Sequence, residues 1–375
     1  MTGDFQRSLF SESEEAAADV VTLFEPARLT QARVLAGMTK KELAAAVGVS
    51  PTAVSQYESG LTHPRPRLLL DLARVLGHDV RFFAGGRPLA RVDTGDAHFR
   101  SLRSLRAADR DRALATAEQV WELVCALERH VHLPEVNLPS DVSDATPRAA
   151  AQAVRKHWRL PRGPVKHLVA TMELNGVVVV LSHEDSGIDR VDAFSTVIAD
   201  RPIVISTPRR SNDVYRHRFT CAHELGHLVL HQGQPAENIA AERQADEFAA
   251  EFLTPEGAMR SLLPSRMDLA ALSRLAQTWG VSPDSLIRRM SELRMVSDVT
   301  IRRAYVRLNA VRELAGTSPI HRYEGEVPTM LRRAIALTQR VGVGPRELAA
   351  ELRWQPDRIH DLIGGGDTRP KLTLA

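Results

Sequence analysis

Cysteine is almost missing from this chain: Cys125 and Cys221 are the only two in 375 residues. They lie far apart, with no pair at metal-ligand spacing, which excludes both a disulfide framework and a cysteine-based zinc finger. Long apolar runs are missing too. Nothing approaches the roughly 20 apolar residues of a membrane span. The start, Met1-Thr2-Gly3-Asp4-Phe5, has neither the basic nor the apolar region of a signal peptide. These absences point away from a secreted scaffold or a helical membrane protein, and the reducing cytoplasm is the expected location. Cys221 reads as a small buried side chain rather than a redox group.

The length suggests two or three domains, and 43% hydrophobic residues allow sizeable cores. A formal net charge of +3 hides an uneven distribution. Residues 1–25 carry Asp4, Glu12, Glu14, Glu15, Asp19 and Glu25 against Arg7 alone, and read as an acidic flexible tail. Residues 26–90 then hold Arg28, Arg33, Lys40, Lys41, Arg65, Arg67, Arg74, Arg81 and Arg87 against only four acids. A basic block of this kind suggests an anionic partner.

Inside that block, Thr39-Lys40-Lys41-Glu42 has the form of a capping box opening a helix. Leu43, Ala44 and Val47 form its packing face, and Gly48-Val49 make a tight turn. Ser50 caps a second helix with Pro51 in its first position, where the missing N–H costs nothing. Val54 and Tyr57 face inward, leaving Thr52, Ala53, Ser55 and Gln56 outward. Small polar residues with a Gln near a helix start suit major-groove reading, where Gln pairs with adenine and Thr or Ala meets a thymine methyl. With Lys40 and Ser50 at the two helix starts, these residues are the expected contacts to double-stranded DNA. The segment from about 26 to 86, including Glu58-Ser59-Gly60 and Pro64, resembles the Cro/C1-type (XRE) helix-turn-helix domain.

A second motif, His223-Glu224-Leu225-Gly226-His227, sits in an apolar, helix-forming run. Residues four apart share a helix face, so His223 and His227 can reach one Zn²⁺ from consecutive turns. Glu224 is placed to meet a water at the metal rather than the metal itself. A catalytic site needs a third protein ligand and an open position. His231 lies two turns beyond His223, roughly 12 Å along the axis, and cannot share an ion with it. After a turn-rich reversal at 232–238, a second helix spans Ala240 to Leu253 with an apolar face through Ala241, Ala245, Phe248, Ala249, Phe252 and Leu253. Glu242 and Asp246 border that face. Glu242 is assigned as third ligand and Asp246 as hydrogen-bond partner of a ligand histidine.

Arg218-Phe219-Thr220 before His223-Glu224-Leu225-Gly226-His227, then Glu242-x-x-Ala245-x-x-Phe248-Ala249 and Leu253-x-Pro255, is similar to the ImmA/IrrE family of zinc metallo-endopeptidases. Three strand-like segments upstream, from Asn175, Asp192 and Arg201, extend the match over roughly 148–256. The resemblance implies a small antiparallel sheet packed on helices, one zinc per chain held by His223, His227 and Glu242, and Glu224 as general base. For the oxyanion it leaves Tyr215, Arg216, His217 and His231 open.

The turn pattern Leu43 to Pro51 recurs at Leu275 to Pro283 and, more weakly, at Leu348 to Pro356. Both later copies read as helix-turn-helix-like bundles. In the last, Trp354 replaces a small turn residue, which favours a packing or interaction module. Phe99 to His132 has helical periodicity and either packs locally or dimerises; Pro134 to Pro147 reads as a linker.

The expected architecture is multidomain and mainly α. It comprises a tail (1–25), an all-α helix-turn-helix bundle (26–90), a helical connector and linker (96–147), a central α+β zincin-like domain (148–256), a helical extension (257–295) and a C-terminal helical module (296–375). The expected function is that of a bacterial, cytoplasmic DNA-binding regulator with a zinc-dependent endopeptidase domain. The resemblance to the ImmA/IrrE family implies that its substrate is a protein, such as a helix-turn-helix repressor, cleaved in a stress or mobile-element response. The alternative is a transcription factor whose zincin-like domain only senses a ligand or partner. A homodimer on two half-sites fits either.

Overall fold

The structure is a computed structural model that describes residues 13–92, 106–140, 142, 145–182, 192–207, 213–231, 239–312 and 319–363. The chain divides into two units. One comprises Met1–Val92, Leu105–His132 and Arg332–Ala375; the other comprises Asp93–Ser104 and Leu133–Leu331. No described helix is long and apolar enough to cross a membrane.

In the first unit, helices Pro26–Leu35, Lys40–Val47, Pro51–Glu58 and Pro66–Leu76 follow one another. Their apolar positions, Leu29, Ala32, Leu43, Ala44, Val54, Leu69, Leu72 and Leu76, are all buried. The local signals operate as expected. Thr39 and Glu42 exchange the two bonds of a capping box, Gly48 takes φ 72°, and the Ser50 hydroxyl accepts from the Ala53 N–H at 3.1 Å.

Three expectations about this unit need correction. Residues 13–22 are helical and bury Ala17 and Val20, so that part of the acidic segment packs instead of forming a mobile tail; residues 1–12 lie outside the described residues. The helix Ala107–Glu128 is no connector but a core element, while Phe99 to Leu105 lies outside the described residues. The helix buries Leu114, Val120, Leu123 and Leu127 and, among them, polar residues that find partners. Buried Arg28 donates to Glu122 at 2.5 Å and to Gln31 at 2.9 Å, and Gln31 donates to Glu122 at 2.9 Å. Finally, the expected C-terminal module is divided between the units. Helix Asp298–Arg312 sinks Ile301, Ala304 and Leu308 into the core of the second. Helices Pro345–Leu352 and Asp357–Ile363 belong to the first, where Arg358 donates to Gln119 at 2.5 and 2.8 Å. Arg353 occupies the left-handed turn position that Gly48 and Gly280 fill in the other two copies. Its guanidinium donates to the carbonyls of Arg81, Ala84 and Gly85 at 3.1–3.3 Å, which offsets the backbone cost.

The second unit is built on a three-stranded sheet, β1 (Val178–Leu181), β2 (Ala193–Ile198) and β3 (Arg201–Ser206), in the order β1-β3-β2. The sheet is mixed rather than antiparallel throughout. β2 and β3 form a hairpin through Ala199 and Asp200, both at positive φ as a two-residue turn requires. β1 runs parallel to β3. The helices Val214–Leu230 and Ile239–Leu253 pack beside it, with Leu225, Leu228, Phe248, Ala249 and Phe252 fully buried. The expected linker is pinned here. The Asn137 carbonyl accepts from the Trp158 indole at 2.6 Å. A Cβ on Gly176, at φ 80°, would lie 2.4 Å from the Glu135 carbonyl, so glycine is what lets the linker lie on this turn.

Candidate functional site

The metal motif lies in the helix Val214–Leu230, and Glu242 and Asp246 in Ile239–Leu253. The reversal at 232–238 between them lies outside the described residues. Gly226 decides how closely these helices approach, because a Cβ there would meet the Phe248 ring at 3.0 Å. Arg218 anchors the start of the first helix. Its buried guanidinium donates to the carbonyls of Gly280 at 2.7 Å and Val165 at 2.5 Å and pairs with buried Glu326.

That packing brings His223, His227 and Glu242 together, with one ligand atom from each lying within 4.8 Å of the others. His223 Nε2 and His227 Nε2 are 3.1 Å apart. Glu242 closes the triangle at 3.3 Å to His223 and 3.5 Å to His227. Three donors held at about 2.0–2.1 Å from a tetrahedral ion would be separated by roughly 3.3 Å. Two imidazoles and a carboxylate at that spacing fit zinc in both chemistry and size.

The surroundings are strongly anionic. Burial works against a charge on His223, yet its bonds to Asp246, at 2.9 Å, and to Glu242 raise its pKa to about 10. Burial alone would raise the Glu242 pKa, but the two imidazoles hold it well below the usual carboxylate range. A cluster that stabilises positive charge in this way also suits a divalent cation.

Glu224 is not part of the triangle. It is 6% exposed, and its carboxylate accepts a hydrogen bond from the Ser195 hydroxyl of β2 at 2.7 Å. Ser195 escaped sequence reasoning because 29 residues separate it from Glu224. Cys221 is fully buried, and burial pushes its thiol pKa well up, as expected of a packing residue.

The four oxyanion candidates are not gathered at the triangle. His217 is buried and directs Nε2 to the Glu326 carbonyl at 3.1 Å, and burial lowers its pKa to about 4. His231 engages both ring nitrogens, one with His227 and one with Gln244. Arg216 pairs with Asp192 at 3.0 Å. Tyr215 and Arg216 line a neighbouring cavity of about 330 Å³, whose floor includes Phe219, Ala250 and Leu253. Arg288 lines the same cavity and lies 3.7 Å from Asp246.

In the first unit, the recognition helix Pro51–Glu58 buries Val54, exposes Thr52, and leaves Ala53, Ser55, Gln56 and Tyr57 half-buried. Ser50 is exposed and engaged as the helix cap. Lys40 is exposed, with its ammonium 3.4 Å from Glu58, a carboxylate that also accepts two bonds from Arg33 at 2.5 and 3.1 Å.

Comparison with known proteins identifies a domain in each unit. Residues 29–83 match the helix-turn-helix family model, and residues 173–291 match the peptidase-family model of the IrrE N-terminal-like domain. Over 80 residues, 21% of this chain, the sequence is 32% identical to endothelial differentiation-related factor 1 from Homo sapiens. That match spans 54% of the human protein, about half its length. The chain thus carries an XRE-type helix-turn-helix domain at 29–83 and an IrrE N-terminal-like, metallopeptidase-type domain at 173–291, and is a fusion of the two.

Proposed function

We propose that this protein is a cytoplasmic regulator that binds duplex DNA through its first unit and hydrolyses a peptide bond of a protein partner in its second. His223, His227 and Glu242 would hold one zinc ion, with Asp246 orienting His223. A zinc ion bound there would supply Lewis acidity toward the scissile carbonyl and the attacking water. Glu224 accepts the proton of the attacking water at its carboxylate and passes it to the leaving nitrogen. The substrate class that the resemblance to the ImmA/IrrE family implies is a repressor with its own helix-turn-helix.

The observation that most supports hydrolysis is the position of Glu224. It follows His223 in the chain and its charge acts on that ring, yet it is not one of the three ligand residues, and Ser195 holds its carboxylate in place. Metal retention alone gives no use for an oriented base.

A second reading, a sensor without hydrolysis, draws on the 330 Å³ cavity. A ligand engaging Arg288 there would act on Asp246, and through it on His223. Incubating wild-type protein and Glu224→Gln with the repressor encoded beside its gene, with and without chelator, separates the two readings. Cleavage by the zinc-loaded wild type alone supports hydrolysis. Intact repressor in every arm, together with unchanged gene regulation by Glu224→Gln in cells, supports the sensor.

A further inference from the structure

The two histidines of the triangle are backed differently. Behind His223 stands a carboxylate, Asp246, at 2.9 Å from Nδ1. Behind His227 stands another imidazole. His227 Nδ1 lies 3.1 Å from His231 Nδ1, and His231 Nε2 lies 2.8 Å from Gln244 Oε1. We propose that His231 and Gln244 are positioning residues, a neutral relay that fixes His227 in the tautomer offering Nε2 to a metal ion. This inference rests on the metal reading of the triangle.

The direction of the relay follows from donor and acceptor counting. A neutral imidazole has one N–H and one lone pair, and an amide oxygen can only accept. His231 therefore donates from Nε2 to Gln244, which leaves its Nδ1 as an acceptor. His227 must donate from Nδ1 to meet it, and its lone pair then falls on Nε2, the atom facing His223 and Glu242. The opposite polarity would place a proton on His227 Nε2 and close the site to a cation. His227 and His231 are each only 3% exposed, so water does not compete for the bond between the two rings.

A relay of neutral groups also has an electrostatic consequence. Glu224, Glu242 and Asp246 already bring three carboxylates to the site. A fourth, behind His227, would add negative charge, weaken the Lewis acidity of a bound cation, and carry a further desolvation cost. An imidazole and an amide orient the ring without adding charge. The spacing was visible in the sequence, since His231 follows His227 by four residues. Its partner Gln244 was not, because it comes from the next helix.

The test uses the full-length protein and measures Zn²⁺ affinity by competition with a chromophoric chelator, alongside the absorption band of the Co²⁺-loaded form. His231→Ala should weaken zinc binding by about 10–100-fold and shift the Co²⁺ band. His231→Asn places an amide oxygen where Nδ1 stood and should recover most of the affinity. Gln244→Met alters an exposed residue, so its effect does not depend on refolding a core; it should weaken binding, whereas Gln244→Glu, which keeps the acceptor, should not. Unchanged affinity in both His231→Ala and Gln244→Met, with metal lost in His223→Ala, would overturn the relay and leave the metal site standing. Asn as weak as Ala at 231, in protein of unchanged melting temperature, would reduce His231 to a space-filling role. Failure of the wild type to bind Zn²⁺ would remove the metal reading itself, and the relay with it.

Discussion

Ser195 reaches from the edge strand of the sheet to the carboxylate of Glu224, its hydroxyl 2.7 Å from Oε2 and fully buried. A hydroxyl donated to one oxygen stabilises the ionised carboxylate and limits its rotation, so the other oxygen has a defined direction. Hydrogen bonds to charged groups contribute about 1.5–3 kcal/mol, which corresponds to roughly a 10–100-fold change in an equilibrium or rate. Ser195→Ala is expected to keep its zinc content and lose hydrolysis by that order. Steady-state cleavage with metal analysis of the same preparation checks it. An unaltered rate in the variant would remove Ser195 from the mechanism.

Loss of individual ligands should be graded. His223→Ala takes away one corner of the triangle and should release most of the metal. Asp246→Ala leaves all three ligand atoms and removes only the partner of His223 Nδ1, so affinity should fall by about 10–100-fold. Metal content after dialysis against graded chelator distinguishes the two cases. An experimental structure with Glu242 turned from the imidazoles and another residue on the ion would overturn the ligand set.

Which parts of this were legible in the sequence follows from the range of the interactions. Helical period places His223 above His227 and Glu242 above Asp246, so each of these two pairs could be read within a single helix. Caps and turns were legible for the same reason: Thr39 with Glu42, and Ser50 with Ala53, are three residues apart. Long-range pairs were not. Arg28 and Glu122 are 94 positions apart, and without that contact the helical pattern from Phe99 to His132 leaves local packing and dimerisation equally open. The division of the last 80 residues was hidden likewise, because an amphipathic helix does not name the core that accepts it. The one strand pairing misjudged, β1 with β3, depends on chain crossover rather than on residue pattern.

The buried cluster of the first unit should make its stability depend on pH. Burial raises the Glu118 pKa from 4.5 to about 7, against opposing bonds from the Val92 N–H and Gln31. The folded state therefore keeps this proton over a range in which the unfolded chain has lost it. Stability that is present below the unfolded value falls as pH rises from about 4.5 to about 7 and then levels off. Glu118→Gln cannot titrate and retains the carbonyl acceptor for Val92. Compared with the wild type, it should gain stability between pH 5 and pH 8, as measured by urea unfolding of the full chain. A difference of the same size at both pH values would show that the Glu118 proton contributes nothing.

DNA binding should divide into a sequence-dependent part and a salt-dependent part. Gln56 sits half-buried on the recognition helix near exposed Thr52, and a bidentate bond to adenine contributes about 1–3 kcal/mol of discrimination. Gln56→Ala should thus relax preference at one base position and change little elsewhere. Lys40 differs, because its ammonium lies 3.4 Å from Glu58. To meet a phosphate it must leave that carboxylate, although the two bonds from Arg33 keep Glu58 paired when it does. Lys40→Ala should weaken all sequences alike and lower the slope of log affinity against log salt by about 1. Competition binding on a randomised duplex pool, followed by salt titration on the best site, measures both quantities with the intact protein. Binding that ignores salt would mean that the helix-turn-helix meets another protein rather than a phosphate backbone, since counterion release accompanies every phosphate contact.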